Sequence, residues 1–267
     1  MIDVSVIIPT YNRCNTLKRA VRSVLNQTYP HYELIIINNG STDDTKKFLA
    51  SFQIPRLSHV NLTSNFGANV ARNEGIKRSR GEFVAFLDDD DCFAPAKLKC
   101  MLSAMKARNR DLGYSGKNIV AGDNRFLKVS YKKPRYKCPV KSIMTDNFIG
   151  VTSAVIVRKA LLESVNGFSP DLAALQDYDL YIRLIKAGAT LYGTPEPLID
   201  YHREEDEERK ISCSYIRFRQ ARKHLLEKYA LDEYYSVLQR ALFIIGIKKA
   251  FKSKQFVKGI FRSKASA

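Results

Sequence analysis

The sequence predicts an α/β protein in which βαβ units lay down a mainly parallel sheet. Three observations carry this prediction. Apolar runs at residues 3–8, 33–37 and 83–87 have the length of buried strands and are too short for buried helices. Segments with apolar residues at helical spacing separate them, and strands alternating with helices of this length imply parallel crossovers. Each run also stops at a cluster of turn-forming polar residues, at 9–13, 38–44 and 88–91. Ligands of open parallel sheets bind beyond the carboxyl ends of the strands, and the three clusters fall there.

The elements follow in order. Pro9-Thr10-Tyr11-Asn12 breaks the first strand, and Asn15-Thr16 should cap a helix with Leu17, Ala20, Val21, Val24 and Leu25 inward. After the second strand, Asn38-Asn39-Gly40-Ser41 is a turn, and Ser41 or Thr42 with Asp44 and Thr45 opens a helix. A short strand is expected near residues 59–62 and a helix over 69–78. From residue 95 the pattern changes: an amphipathic helix at 97–108, basic β-prone segments at 112–120 and 125–132, then a Pro/Lys-rich stretch to 141. A strand at 149–157 and a helix at 177–187 complete it. No low-complexity linker separates the halves, so they should share one sheet.

Residues 83–91 carry the strongest chemical signal: Phe83-Val84-Ala85-Phe86-Leu87, then four aspartates. One reading is a solvated acidic turn. The other places a cation among the carboxylates, which otherwise repel one another in a cleft. Hard oxygen donors suit Mg²⁺ or Mn²⁺, ions that grip phosphates.

The net charge of +17 is uneven: residues 234–267 hold eight basic residues and no acid. Apolar residues interleave with them, a pattern that fits an anionic membrane surface or a helix docked on the core with a solvated basic face. Five scattered cysteines, without CxxC or zinc-type spacing, read as free thiols of a reducing compartment. The N-terminus has no signal-peptide pattern, and the longest apolar stretch near the C-terminus, at 241–247, is far short of a membrane span. The expected location is cytoplasmic, peripheral on the inner face of the cell membrane.

Several blocks resemble family 2 glycosyltransferases. Pro9-Thr10-Tyr11-Asn12-Arg13 and Asn39-Gly40-Ser41-Thr42-Asp43 follow the first two strands. Ala71-Arg72-Asn73-Glu74-Gly75, Gly81-Glu82-Phe83 and Phe86-Leu87-Asp88-Asp89-Asp90-Asp91 resemble the family's central block. Gly167-Phe168 and the run from Gln176-Asp177 to Arg183-Leu184 resemble its acceptor-side block. The resemblance spans residues 3–203 in order. It implies the GT-A fold: a Rossmann-like nucleotide-sugar-binding half (1–95) merged with an acceptor-binding half (96–205), followed by a C-terminal helical, basic tail (206–267).

The implied activity is that of an inverting, metal-dependent, hexosyltransferase-type enzyme. It would move a sugar from a nucleotide-sugar, a UDP-sugar foremost, to a hydroxyl of a glycan or lipid-linked glycan in surface polysaccharide synthesis (O-antigen, capsule or lipopolysaccharide). By the same resemblance Asp177 is the catalytic base, against the plainer role of a helix N-terminal acid, which Asp179 would fill. Gln176 stands where Glu is more frequent. Asp90 would ligate Mn²⁺ or Mg²⁺, and Asp88 the metal or the ribose. Arg72 would hold the diphosphate, unless it is a surface helix arginine. Pro9, Thr10, Tyr11, Arg13, Asn38, Asn39 and Asp89 complete the donor contacts. Asp89 and Asp91 are expected mainly as spacer and support, with Asp89→Ser tolerated.

Two departures stand out. Asn38-Asn39 replaces a frequent Asp-Asp, which leaves an uncharged acceptor for a uracil N3–H and makes another nucleotide more credible. His202, a further metal ligand by position, precedes an unusual acidic run at 204–208 and could equally be structural. Two other classes compete. A sugar nucleotidyltransferase usually carries a Gly-rich loop after its first strand, and residues 9–13 hold no glycine. A non-enzymatic module for anionic polymer or lipid would suit the charge but leaves the strand-end clusters unexplained. Nucleic acid is not expected as a partner.

Overall fold

Alternation along the first strand sorts its side chains onto two faces of one sheet. The structure is a computed structural model that describes residues 2–121, 124–203 and 215–229. The strands are β1 (Val4–Thr10), β2 (Tyr32–Asn38), β3 (Leu57–Asn61), β4 (Phe83–Phe86), β5 (Cys92–Phe93), β6 (Leu112–Ala121), β7 (Phe126–Ser130), β8 (Val155–Arg158) and β9 (Leu191–Arg203). The helices are α1 (Cys14–Leu25), α2 (Thr45–Ala50), α3 (Ala68–Arg78), α4 (Lys97–Ala107), α5 (Pro139–Thr145), α6 (Lys159–Ser164), α7 (Gln176–Lys186) and α8 (Tyr215–Tyr229). Among the described residues the strands form one sheet in the order β3-β2-β1-β4-β8-β6-β9-β5, with β7 on β6. It is parallel from β3 to β4; β8 then enters antiparallel, and β6 and β9 run parallel to each other.

Val4, Val6 and Ile8 join Leu34, Ile36, Phe83 and Ala85 against α1 and α4, where Leu17, Val21, Leu98 and Met101 are fully buried or nearly so. Ile35 and Ile37 face the other side, with Ala71 of α3. Burying each of the Val, Leu, Ile, Phe and Met side chains among them stabilises the fold by roughly 1.5–3 kcal/mol. Gly75 lets α3 lie directly on β1, since a Cβ there would sit 2.4 Å from Ile7 Cγ2.

The first strand does not stop at Ile8: it continues through Pro9 to Thr10. Odd residues of β1 bond β4, as Leu87 N–H donating to Ile7 O shows, and even residues bond β2. The missing N–H of Pro9 therefore falls beyond the last β1–β4 pair, Ile7 with Phe86, where no ladder bond is lost. Likewise α1 begins at Cys14, without an Asn15 or Thr16 cap. Its first N–H donates to Asp43 Oδ2 (3.0 Å), while Asp43 Oδ1 accepts from Thr45 N at the start of α2 (3.1 Å). One carboxylate from the neighbouring loop serves both helix starts.

Helix α8 belongs to a second unit, Glu208–Ala267, and carries an i,i+4 pair between Lys223 and Glu227. No helix among the described residues is long and apolar enough to cross a membrane. The basic segment expected at 234–267 and the acidic run at 204–208 lie outside the described residues.

Candidate active site

Because β1, β2 and β4 are parallel, their carboxyl ends bring the three polar clusters together. The loops after β1 and β2 are tied by Asn12, which takes a left-handed conformation (φ 52°). Its N–H donates to Ser41 Oγ, and its Oδ1 accepts from Thr42 N at 2.7 Å.

The four aspartates form a turn closed by Asp91 N donating to Asp88 O (3.0 Å), and they point in different directions. Asp88 is partly exposed and accepts from Arg72 Nη2 at 2.6 Å. Asp90 accepts from Arg13 Nη1 at 2.9 Å, and its carbonyl from Arg19 Nη2 at 2.8 Å. Asp91 is fully buried, accepting from Ser153 Oγ (2.6 Å) and from His202 N (3.2 Å). Ser153 Oγ in turn accepts from Asp88 N, so one hydroxyl fastens both ends of the turn. Burial, then the Asp90 and Asp88 charges, push the Asp91 carboxyl well up.

Asp89 takes a supporting place. It is buried, and its two oxygens accept from Thr10 Oγ1 (2.7 Å) and Arg13 Nη1 (3.2 Å). Burial lifts it to about 7 against the pull of Arg13. It joins the turn to the end of β1, and Asp89→Ser would leave Thr10 and Arg13 without that partner. Asn38 and Asn39 also turn inward. Asn38 donates to Asn61 Oδ1 and accepts from Ser41 N; Asn39 donates to Asn65 Oδ1 and accepts from Phe66 N. Both are buried, and their amides shape the 61–67 loop. Pro9 is buried within β1, whereas Tyr11, in the loop after it, is 41% exposed.

Arg72 is buried rather than on the helix surface: its guanidinium lies 5.3 Å from the Phe168 ring centroid and reaches Asp88. Asn73, one residue on, clasps the same loop, donating to Phe168 O and accepting from Phe168 N, both at 2.8 Å. Gly167 (φ 60°) permits this approach, since a Cβ there would lie 2.5 Å from Asn73 Oδ1. The loop leads into α7, where Asp177 is half-buried in the first turn and accepts from Tyr178 N at 2.7 Å. Burial raises the Asp177 carboxyl to about 6, against the helix N–H bond and Arg72. The Asp88 and Lys117 charges also act on it. Asp179 serves the helix itself. It is wholly buried, pairs with Arg183 at 2.7 Å and accepts from Ser169 Oγ.

The donor set suits a divalent cation. Asp88 and Asp90 are hard oxygen donors from one turn, each balanced by a guanidinium. Among the described residues no three His, Cys, Asp or Glu side chains form a metal cage. Mg²⁺ or Mn²⁺ bound to one or two carboxylates and completed by substrate phosphates requires no such cage. His202 does not join the two aspartates in a three-ligand cluster. Its side chain borders a separate cavity of about 340 Å³ with Arg19, Cys92 and Asp200, and burial and Arg19 lower its pKa.

The family model of glycosyl transferase family 2 matches residues 5–165. The chain belongs to glycosyl transferase family 2. A putative teichuronic acid biosynthesis glycosyltransferase, TuaG of Bacillus subtilis, is 34% identical over 200 residues, covering 74% of this chain and 78% of TuaG. The Escherichia coli UDP-Glc:alpha-D-GlcNAc-diphosphoundecaprenol beta-1,3-glucosyltransferase WfgD is 31% identical, with 68% and 70% covered. Among solved structures, S. aureus TarS 1-349 in complex with UDP-GlcNAc superposes with a TM-score of 0.69 at 21% identity, covering 84% of this chain and 67% of TarS 1-349. The mannosyltransferase PcManGT from Pyrobaculum calidifontis, in complex with GDP-Man and Mn²⁺, gives 0.62 at 18% identity, with 92% and 80% covered. The fold of this family 2 glycosyltransferase is GT-A.

Sequence reasoning passed over the residues that hold the site rather than touch a ligand. Ser153, which fastens the acid turn, lies beside Thr152 in a mainly apolar stretch and carries no motif. Lys97, wholly buried, donates to Ala154 O (3.1 Å) beneath it and is pushed down to about 7 by burial. A buried lysine on an amphipathic helix cannot be told from a solvated one by spacing.

Proposed function

We propose that the protein is an inverting glycosyltransferase. It would transfer a sugar from a nucleoside-diphosphate sugar, UDP-linked foremost, to a hydroxyl of a lipid-linked or growing glycan in surface polysaccharide synthesis. The observation that carries this reading is the relation of Asp177 to the acid turn. A half-buried carboxyl raised to about 6 by burial lies in the field of Arg72 and Asp88, at the start of a helix held by the Asn73 clasp. UDP is favoured because WfgD is a UDP-Glc enzyme, and a lipid-linked acceptor because of that relative's acceptor.

In the reaction the acceptor oxygen attacks the anomeric carbon from the face opposite the diphosphate. A carbon–oxygen bond forms as the bond to the β-phosphate oxygen breaks, and its electron pair leaves on the diphosphate. The hydroxyl proton passes to Asp177, which is ionised above pH about 6 and basic enough to accept it. Arg72 and Arg13 hold Asp88 and Asp90 in place. Those two carboxylates would hold Mn²⁺ or Mg²⁺, and such an ion neutralises charge on a leaving diphosphate. Tyr11, exposed in the loop after β1, offers a ring on which a nucleobase can stack.

The test is a screen of UDP-, GDP- and TDP-sugars for release of nucleoside diphosphate without acceptor, with and without Mn²⁺. Metal-dependent release from one sugar nucleotide, lost in Asp90→Asn, is the expected result. No release from any donor under either condition, together with no nucleotide binding by calorimetry, would overturn the reading.

A further inference from the structure

A second polar concavity lies in the acceptor half, in the region where the sequence offers no motif. Strands β6 and β7 and the 147–150 loop enclose about 180 Å³, lined by Ser115, Lys117, Tyr131, Lys132, Asn147 and Gly150 among others. Sites that enclose a drug-sized ligand run to about 300–1,000 Å³, so this one encloses a single group of a larger molecule. Its wall is built: Asn147 Oδ1 accepts from Gly150 N (3.0 Å) and its amide donates back to Gly150 O, closing the loop on itself. Gly150 (φ 97°) brings that loop against the ammonium, since a Cβ there would lie 3.6 Å from Lys117 Nζ. Tyr131 stacks on Tyr114 (centroids 5.7 Å apart, planes 15°), a rigid apolar backing.

Lys117 is the unusual member. It is half-buried, with Nζ 5.1 Å from the centroid of the Tyr201 ring, and the carboxylates that act on it, Asp91 and Asp177, do so through space without a hydrogen bond. Asp91 is already satisfied by Ser153 and His202 N. Lys132, exposed at the rim, pairs with Asp146 at 2.8 Å. A desolvated ammonium in a polar recess, within the field of the residue assigned as base, is placed to meet an anion carried by the molecule that the base deprotonates.

We propose that this recess takes an anionic group, phosphate or carboxylate, borne by the acceptor beside its accepting hydroxyl, with Lys117 as the specificity-determining contact. The proposal rests on the glycosyltransferase reading above and adds the acceptor's charge class. The two sources of such an anion are a lipid diphosphate and an acidic sugar.

The experiment measures binding to the full chain by calorimetry, with the nucleoside diphosphate selected by the donor screen saturating the donor side. The probes are an alkyl diphosphate glycoside and an alkyl glucuronide, each against its uncharged alkyl glycoside. One charged probe is expected to bind at least about tenfold more tightly than its neutral partner, the range of one charge-assisted hydrogen bond. Which probe it is names the source. The preference should vanish in Lys117→Gln and persist in Lys117→Arg. Equal binding of charged and neutral probes, no binding of either, or a preference that survives Lys117→Gln overturns the proposal. Sugar-nucleotide hydrolysis by the unaltered chain separates the two readings. If it persists while the charge preference fails, only the acceptor proposal falls; if no nucleotide binds or is hydrolysed, the glycosyltransferase reading falls as well.

Discussion

Asp177 faces opposed demands. The base role proposed for it needs it ionised, and its half-buried position makes ionisation costly. Its folded pKa of about 6 lies above the ordinary 3.8, so the native state binds the proton more tightly than the unfolded chain. Stability from this group is therefore present at low pH and lost as pH rises through about 4 to about 6. Asp177→Asn keeps the bond to Tyr178 N and removes the charge. Its Tm should exceed that of the unaltered chain at pH 8, with the gain shrinking toward pH 4. Transfer should fall by roughly 10²–10⁴-fold, the usual contribution of a positioned base. In the unaltered chain, transfer should rise with pH below about 6 and level off above it. A variant with full rates, or a flat profile through pH 6, would remove Asp177 from the base role.

Helix α3 links the two sides of the site. Its residue 72 holds Asp88, its residue 73 clasps Phe168, and Asn69 Nδ2 donates to Ser169 O (2.8 Å) and Leu172 O (3.0 Å). Asn73→Ala would remove two hydrogen bonds to a backbone that leads into α7. It should cost about 1–3 kcal/mol of stability. It should also lower kcat more than it raises the donor KM, because Asp177 loses its anchorage while Asp88 and Asp90 keep theirs. A variant whose only defect is a raised donor KM would show that α3 serves the donor side alone. The blocks around Arg72-Asn73 and Gly167-Phe168 were both visible in the sequence; that they touch was not, because the clasp joins residues 95 apart in the chain. Strand β9 was missed for a local reason. Pro195 and Pro197 argue against a strand, yet they fall where the β6–β9 register jumps from Ser115 with Thr194 to Gly116 with Pro197. Gly116 accommodates that bulge, since a Cβ there would lie 2.3 Å from Pro195 O.

At the scale of the molecule, what could be read ahead was what short-range chemistry dictates. Strand ends marked by turn residues pointed to the three polar clusters of the candidate site, and the acid run is one of them. The division of labour among the four aspartates depended on partners 62 and 111 residues from Asp91, Ser153 and His202, and no local pattern announces those. Charge distribution is the whole-chain property that composition does reveal. Of the net +17, residues 234–267 supply +8 and the rest of the chain +9. The lipid-linked acceptor proposed above would bring the chain to a membrane, and each basic residue near an anionic surface contributes about 1 kcal/mol, less as salt screens it. The full chain should sediment with vesicles containing phosphatidylserine or cardiolipin and be released by raising salt from about 0.1 M toward 1 M, where the screening length falls to about 3 Å. A chain ending at residue 233 should bind such vesicles at least about tenfold more weakly. If truncation leaves vesicle binding unchanged, the membrane contact lies within the first 233 residues, and the tail's charge serves something else.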